Sequence, residues 1–339
     1  FDQKNVVYLG KTIGEPSLNV NNEQISIERA LEANQKRYKT LYPVTHNDKR
    51  VIPNFASSTK MKTFKRDKQK EVKVVIPVFP GTNCEYDCET AFMNEGAVVE
   101  IIVFNNQSEQ SINKSLKELA DAIDNSHILM LAGGFSSGDE PDGSGKFIAT
   151  VLKNEIIAAA IDRFIKKKNL ILGICNGFQA LVKSGLLPSG NIRPIENNDP
   201  TLFKNSINRH IAKFVNTKVS STNSPWLSSF NLNDVHTIAM SHGEGNFTID
   251  EDGYKSLLDN NQIAFQYVDN QGVPTYNPLH NPNGSSYAIE GIISEDGLIL
   301  GKMGHSERYT DDLFINIHGN KIQNIFKNGV EYIKRGSIK

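Results

Sequence analysis

Cysteine is scarce in this chain: three in 339 residues, at positions 84, 88 and 175. Three is too few and an odd number for a disulfide framework, which points to a reduced, cytoplasmic protein. Cys84 and Cys88 are spaced C-x3-C with no matching Cys or His pair nearby, so no metal is expected. Net charge is equally scarce. The 37 Lys and Arg nearly balance the 38 Asp and Glu, leaving −1, too little to build a field that recruits nucleic acid. No apolar run approaches the roughly 18 residues of a membrane span, so no membrane partner is expected either. The N-terminus, Phe1-Asp-Gln-Lys, is not a signal peptide. The chain also lacks an initiating Met, which points to a fragment or a processed piece. What remains is an ordinary soluble composition, 38% hydrophobic and 22% charged, long enough for a large core and for two domains.

Residues 1–70 differ from the rest. Val6-Val7-Tyr8-Leu9-Gly10 reads as a short strand. Ser26 is placed to cap a helix, with Arg29 where a capping-box Glu would sit and Ile27, Ala30, Leu31 and Asn34 along one side. From Thr45 to Lys70 the chain is polar, and seven Lys or Arg fall between Lys60 and Lys73. That segment reads as a solvated linker.

From Val72 the pattern alternates. Strands are expected at Val72–Val78, Val98–Phe104, Ile128–Leu131 and Leu170–Leu172. Helices are expected at Glu85–Glu95, closed by Gly96, at Ser115–Ile123, and as one long helix over 147–168. Short apolar strands alternating with helices imply an α/β fold with a doubly wound, mostly parallel sheet and helices on both faces. After Pro188, the stretches Ala212–Val219, His236–Ser241 and Ala264–Val268 alternate as antiparallel edge strands. A last strand, Leu298–Met303, and a helix over 320–335 close the chain.

One strand end stands out. Leu170-Ile171-Leu172 stops at Gly173, Cys175 follows, then Gly177 and a helical segment. This is the G-x-nucleophile-x-G layout of a strand–turn–helix elbow, with Cys as nucleophile. The helix aims its N-terminal amides at the sulfur and favours thiolate. A thiolate attacking a carbonyl creates an oxyanion that needs two N–H donors. The amide of Asn176 supplies one, and the Gly133-Gly134-Phe135 loop, also at a strand end, supplies the other. The nucleophile needs a base. Of eight histidines, His46, His127, His210, His236, His280 and His318 occupy ordinary linker, strand or loop contexts. His242 and His305 each follow a strand and carry a glutamate at i+2, where it shares a face with the imidazole in an extended segment. Spacing does not choose between them.

Gly173-Ile-Cys-Asn-Gly177, Gly133-Gly-Phe-Ser-Ser-Gly-Asp139 and Gly304-His-Ser-Glu-Arg308 together resemble the triad-type (class I) glutamine amidotransferase domain. Pro80-Gly-Thr-Asn-Cys84, Ser241-His-Gly-Glu-Gly245 and Asn281-Pro-Asn-Gly-Ser285 are similar, more narrowly, to the phosphoribosylformylglycinamidine synthase family in its large, single-chain form. The resemblance covers about 72–339. It implies a glutaminase domain over 71–339, preceded in 1–70 by the tail of a synthetase part and a connector. It implies Cys175 as nucleophile, His305 as base and Glu307 as orienting acid. His242 then lines the site or the face toward the synthetase, and Phe135, Ser136, Asn176 and Gln179 contact glutamine. By the same resemblance the partners are glutamine and the synthetase domains. This piece needs no cofactor, and ATP and Mg belong to the synthetase domains outside it.

The match is loose around Arg193–Arg209, at Phe178 and at Asp139-Glu-Pro-Asp142, which puts Arg209 as a contact in doubt. Cys84 and Cys88 read as structural, Cys84 near the site rim. Two alternatives stand beside the glutaminase: another elbow-type cysteine hydrolase of this architecture, and a docking module inactive without its synthetase.

Overall fold

The computed structural model describes residues 6–36, 51–57, 62, 64–136 and 144–336. The features assigned above to Thr45, His46, Lys60, Ser137–Asp139 and Asp139–Asp142 lie outside them. The chain divides into two compact units, 1–45 and 46–339.

In the first unit, β1 (Ser17–Val20) and β2 (Glu23–Ser26) form an antiparallel hairpin, followed by α1 (Ile27–Lys36). The turn residues Asn21 and Asn22 both have positive φ, +50° and +66°, as a tight two-residue hairpin turn demands. Ser26 caps α1 as expected, its Oγ accepting the Arg29 N–H at 3.2 Å. The strand expected at Val6–Gly10 is absent. Those residues are irregular, and their apolar side chains are exposed.

The second unit opens with β3 (Lys73–Val78), α2 (Glu85–Asn94), β4 (Val98–Val103), α3 (Glu109–Asp124) and β5 (Ile128–Leu131). Next come α4 (Lys146–Leu152), α5 (Glu155–Lys166), β6 (Leu170–Ile174), α6 (Asn176–Ser184) and α7 (Leu186–Ser189). Then follow β7 (Thr201–Phe203), β8 (Ile211–Val219), β9 (Val235–His242), β10 (Asn246–Thr248) and α8 (Glu251–Asp259). The unit closes with β11 (Ile263–Val268), β12 (Ile289–Ile293), β13 (Ile299–Lys302) and α9 (Ile325–Arg335).

Nine strands make one mixed sheet in the order β4-β3-β5-β6-β13-β12-β11-β8-β9. The pairings from β4 to β13 are parallel and those from β13 to β9 antiparallel. The fully buried runs Val74-Val75-Ile76, Ile128–Leu131 and Leu170–Leu172 explain why β3, β5 and β6 take central parallel positions. From β3 the chain crosses outward to β4 and then back to β5. Right-handed crossovers in opposite directions put α2 on one face and α3 on the other. The reversal at β3 creates the crevice at strand carboxyl ends where open α/β sheets hold their ligands.

Three local readings need correction. The long helix over 147–168 is two helices, because the Asn154 side chain accepts the Ile156 N–H at 3.1 Å and caps a new start. Helix α3 begins at Glu109 rather than Ser115, started by a reciprocal cap between Ser108 and Ser111. The closing helix begins at Ile325, not 320. The connector also differs from its composition. Among its described residues Ile52 is buried, and Phe55 and Phe64 pack against the core of the second unit, to which they belong. The buried Lys218 donates to the Asn54 side chain and, at 3.1 Å, to the Phe55 carbonyl. A few well-placed apolar residues anchor a segment whose average composition looks solvated.

Candidate functional site

Cys175 joins β6 to α6 at φ +52°, ψ −108°, a conformation costly for any residue with a β-carbon, on the order of 1–3 kcal/mol. Two close approaches hold the elbow. A β-carbon on Gly177 would stand 2.0 Å from the Leu131 carbonyl oxygen, and one on Gly173 would stand 2.8 Å from Gly177. Only glycine at both positions lets α6 descend onto β5 and β6. Cys175 Sγ then lies 3.8 Å from the Ser241 carbonyl at the end of β9.

His305 reaches the same point from β13. The Cys175 N–H donates to the Lys302 carbonyl at 2.8 Å, and the His305 N–H to the Ala239 carbonyl at 2.8 Å. Between them, Gly304 is clamped by a fully buried ion pair. Its N–H donates to Glu290 Oε1 at 2.6 Å, its carbonyl accepts from Lys302 Nζ at 2.6 Å, and the two charges are 3.2 Å apart. His305 Nδ1 lies 2.6 Å from Glu307 Oε1, both residues buried. A β-carbon on Gly133 would stand 3.0 Å from His305 Cε1, 3.1 Å from Cys84 Sγ and 3.4 Å from Cys175 Cβ. Nucleophile, imidazole and Cys84 therefore surround one glycine.

The electrostatics follow from burial and one carboxylate. Burial opposes charge on His305, but Glu307, aided by hydrogen bonding to Cys175, Cys84 and Glu307 itself, holds its pKa well above 6.5. Burial likewise works against Glu307 ionisation, and His305 outweighs it, holding the carboxyl below its ordinary value. Among the described residues His242 Nδ1 meets the Asn205 amide oxygen rather than a carboxylate. Burial, then the nearby His305, pushes it down to about 3. The structure thus separates the two histidines that spacing left equal.

The chain from 71 to 333 matches the CobB/CobQ-like glutamine amidotransferase domain. The chain belongs to the CobB/CobQ-like glutamine amidotransferase family. Among solved structures this amidotransferase chain is similar to that of PurLQS from Thermotoga maritima, at 26% identity and TM-score 0.56. The match covers 78% of this chain and 100% of that one. The glutaminase domain of CTPS from Trypanosoma brucei, solved with bound acivicin, is 9% identical, with TM-score 0.47. That match covers 79% of this chain and 96% of that one.

The elbow opens into a cavity of about 660 Å³ lined by Gly134, Phe135, Ser136, Cys175, Asn176, Gln179 and, across from them, Lys204, Arg209, His210, His242 and Glu244. Not every residue expected there offers what was assigned to it. The Phe135 N–H is taken by the Gly81 carbonyl at 2.9 Å, so of the two loop amides it is Gly134 that is left for a ligand oxygen. The Phe135 side chain is 58% exposed at the cavity mouth, 5.9 Å from the His210 ring. Asn176 accepts the Ser136 N–H at 3.3 Å and donates to Gln179 Oε1 at 2.8 Å, and Gln179 donates to the Glu244 carbonyl. Those side chains knit the cavity wall together. Arg209, doubtful from sequence, does line the cavity.

Cys84 is not at the rim. It is buried beside His305, with Arg308 Nη2 3.0 Å from its sulfur. Cys84, His305 and Glu307 bring potential ligand atoms within 4.8 Å of one another, yet the Arg308 guanidinium already supplies a cation there. Sequence reasoning missed Arg308 in this role. It also missed Asn205, whose Oδ1 lies 3.0 Å from His242 Nδ1. Arg308 stands in the Gly304–Arg308 motif with nothing there to mark its contact with Cys84, and Asn205 carries no periodic or motif signal.

Proposed function

We propose that this domain hydrolyses glutamine to glutamate and ammonia through a thioester on Cys175. The observation that carries the reading is the elbow cysteine, which lines a ligand-sized cavity, set against the buried His305–Glu307 pair. His305 takes the thiol proton, and the resulting thiolate attacks the side-chain carbonyl carbon of glutamine. The oxyanion is received by the amides of Gly134 and Asn176. As the tetrahedral intermediate collapses, His305 gives its proton to the departing nitrogen and ammonia leaves. Water, deprotonated by His305, then attacks the thioester and releases glutamate and the thiol. Glu307 holds the imidazole tautomer and stabilises the imidazolium throughout.

The ammonia serves the ATP-dependent conversion of formylglycinamide ribonucleotide to its amidine, a step of purine synthesis, in synthetase domains that carry ATP and Mg. The shared motifs and the 26% identity to PurLQS support this placement. A cytoplasmic setting goes with it. Among the described residues no helix is long and apolar enough to cross a membrane.

The test is ammonia release from glutamine. Cys175→Ala is expected to abolish it while thermal unfolding stays cooperative, and continued release would refute the assignment. His305→Ala is expected to lose far more kcat than His242→Ala. Equal losses would return the base to the undecided pair.

A further inference from the structure

Gly304 lies two residues past β13 and directly before the base, and it is buried. Buried N–H and C=O groups need partners. On either side of it backbone meets backbone: the Met303 N–H donates to the Glu290 carbonyl at 3.1 Å, and the His305 N–H to the Ala239 carbonyl at 2.8 Å. Gly304 instead takes two charged side chains, Glu290 Oε1 for its N–H and Lys302 Nζ for its carbonyl, both at 2.6 Å. Both side chains are 0% exposed, and neither lines the cavity. The fit is tight. A β-carbon on Gly304 would stand 2.9 Å from Glu290 Oε1, 2.9 Å from Ile238 Cγ2 and 3.1 Å from Lys302 Nζ. Stability alone does not account for this arrangement. A buried ion pair gains little over apolar side chains of similar volume, and glycine adds backbone freedom that folding must remove. What the charges do is pin the two peptide groups flanking an α-carbon that has no side chain of its own, with charge-assisted bonds. Lys302 does more, since its own carbonyl accepts the Cys175 N–H at 2.8 Å. One residue is therefore tied both to the backbone of the nucleophile and to the peptide that carries the base.

Resting on the glutaminase reading, we propose that the Lys302–Glu290 pair is the positioning device that sets His305 against Cys175. Without a β-carbon, Gly304 has the widest range of φ and ψ open to it. The imidazole hangs from the next residue, so a small rotation at Gly304 moves its reactive nitrogen relative to the Cys175 sulfur. The Glu307 bond at Nδ1 orients the ring but does not place the backbone from which it hangs. The pair acts through His305 and touches no substrate. It leaves glutamine binding alone and governs the proton transfers among the thiol, His305 and the departing nitrogen.

The experiment measures ammonia release and the alkylation of Cys175 by iodoacetamide, in wild type and two variants of the full chain. Glu290→Leu combined with Lys302→Met removes both charges together, so no lone buried charge opposes folding. Its kcat is expected to fall about 10²-fold, the effect of displacing a reacting group by about 1 Å, while KM for glutamine stays unchanged. Alkylation at neutral pH is expected to slow as well, because the misplaced imidazole no longer takes the thiol proton. Should the apolar pair fail to fold, Gly304→Ala decides. Its β-carbon drives the two charges off the peptide groups while leaving them paired with each other, and the same split between kcat and KM is expected. A folded variant that keeps wild-type kcat, or that loses KM instead, overturns the proposal. If wild type releases no ammonia at all, the glutaminase reading itself fails, a distinct result. Alkylation unchanged in the folded variant would then overturn the alignment separately.

Discussion

Glu307→Gln isolates what the carboxylate does for His305, because the structure contains its own control. His242 and His305 are both buried and close enough to feel one another's charge. One has an amide oxygen at Nδ1, the other a carboxylate. The first is pushed down to about 3, the second held well above 6.5. Replacing Glu307 by Gln turns the second environment into the first. A fall from 6.5 to about 3 corresponds to about 5 kcal/mol of imidazolium stability. In wild type the Glu307 carboxylate raises His305 and stabilises the imidazolium that forms when it takes the thiol proton. In the variant that imidazolium loses its neighbouring anion, and proton transfer from the thiol becomes harder. Two readouts follow. The kcat for ammonia release is expected to drop by about 10²–10⁴, the range seen when an orienting acid is neutralised. The alkylation rate of Cys175 at neutral pH is expected to fall as well. A variant within tenfold of wild type in kcat and alkylated as fast would refute the reasoning.

Gly177→Ala sets two effects of opposite sign against each other. Alanine inside a helix ordinarily gains about 0.5–1 kcal/mol over glycine. Here its β-carbon would stand 2.0 Å from the Leu131 carbonyl oxygen, backbone that cannot step aside, so a net loss of about 3 kcal/mol is expected in denaturant unfolding. A neutral or stabilised variant would contradict the elbow packing. Acid stability should also carry a histidine signature. His242 is neutral in the fold and binds a proton when unfolded, so between pH 6.5 and 3 the unfolded state holds more protons and stability drops as the solution is acidified. The loss is about 2 kcal/mol from pH 7 to pH 5 from this residue alone, and His242→Gln should flatten that slope.

The elbow was legible because its chemistry and its backbone need the same residues. A nucleophile at a strained turn requires small neighbours, and Gly173 and Gly177 are visible in the chain. The alternation of apolar runs and helices likewise exposed the parallel half of the sheet, and the alternating polar patterns after Pro188 its antiparallel half. Local starts were harder. Asn154 and Ser108 cap helices inside segments whose apolar periodicity runs on or begins late, and periodicity does not register a single competing side-chain hydrogen bond. The Asn21-Asn22 turn is marked only by two residues that tolerate positive φ, whereas the more apolar Val6–Gly10 is exposed and irregular. Within the site, spacing produced two equivalent His-x-Glu pairs. Only the fold shows that Glu307 touches His305, whereas His242 turns to Asn205, a residue in a polar loop with nothing in its surroundings to mark it. Cys84 was placed at the rim because a strand end is normally open, but Arg308 and Gly133 close over it.

The most direct measurement is covalent. Glutamine-analogue electrophiles that mimic the side-chain carbonyl react with the nucleophile that attacks it, and mass mapping after digestion locates the adduct. The expected result is a single modified cysteine, Cys175, with modification suppressed by excess glutamine and lost in Cys175→Ala. An adduct on Cys84 or Cys88, with Cys175 unmodified, would contradict the account at its centre.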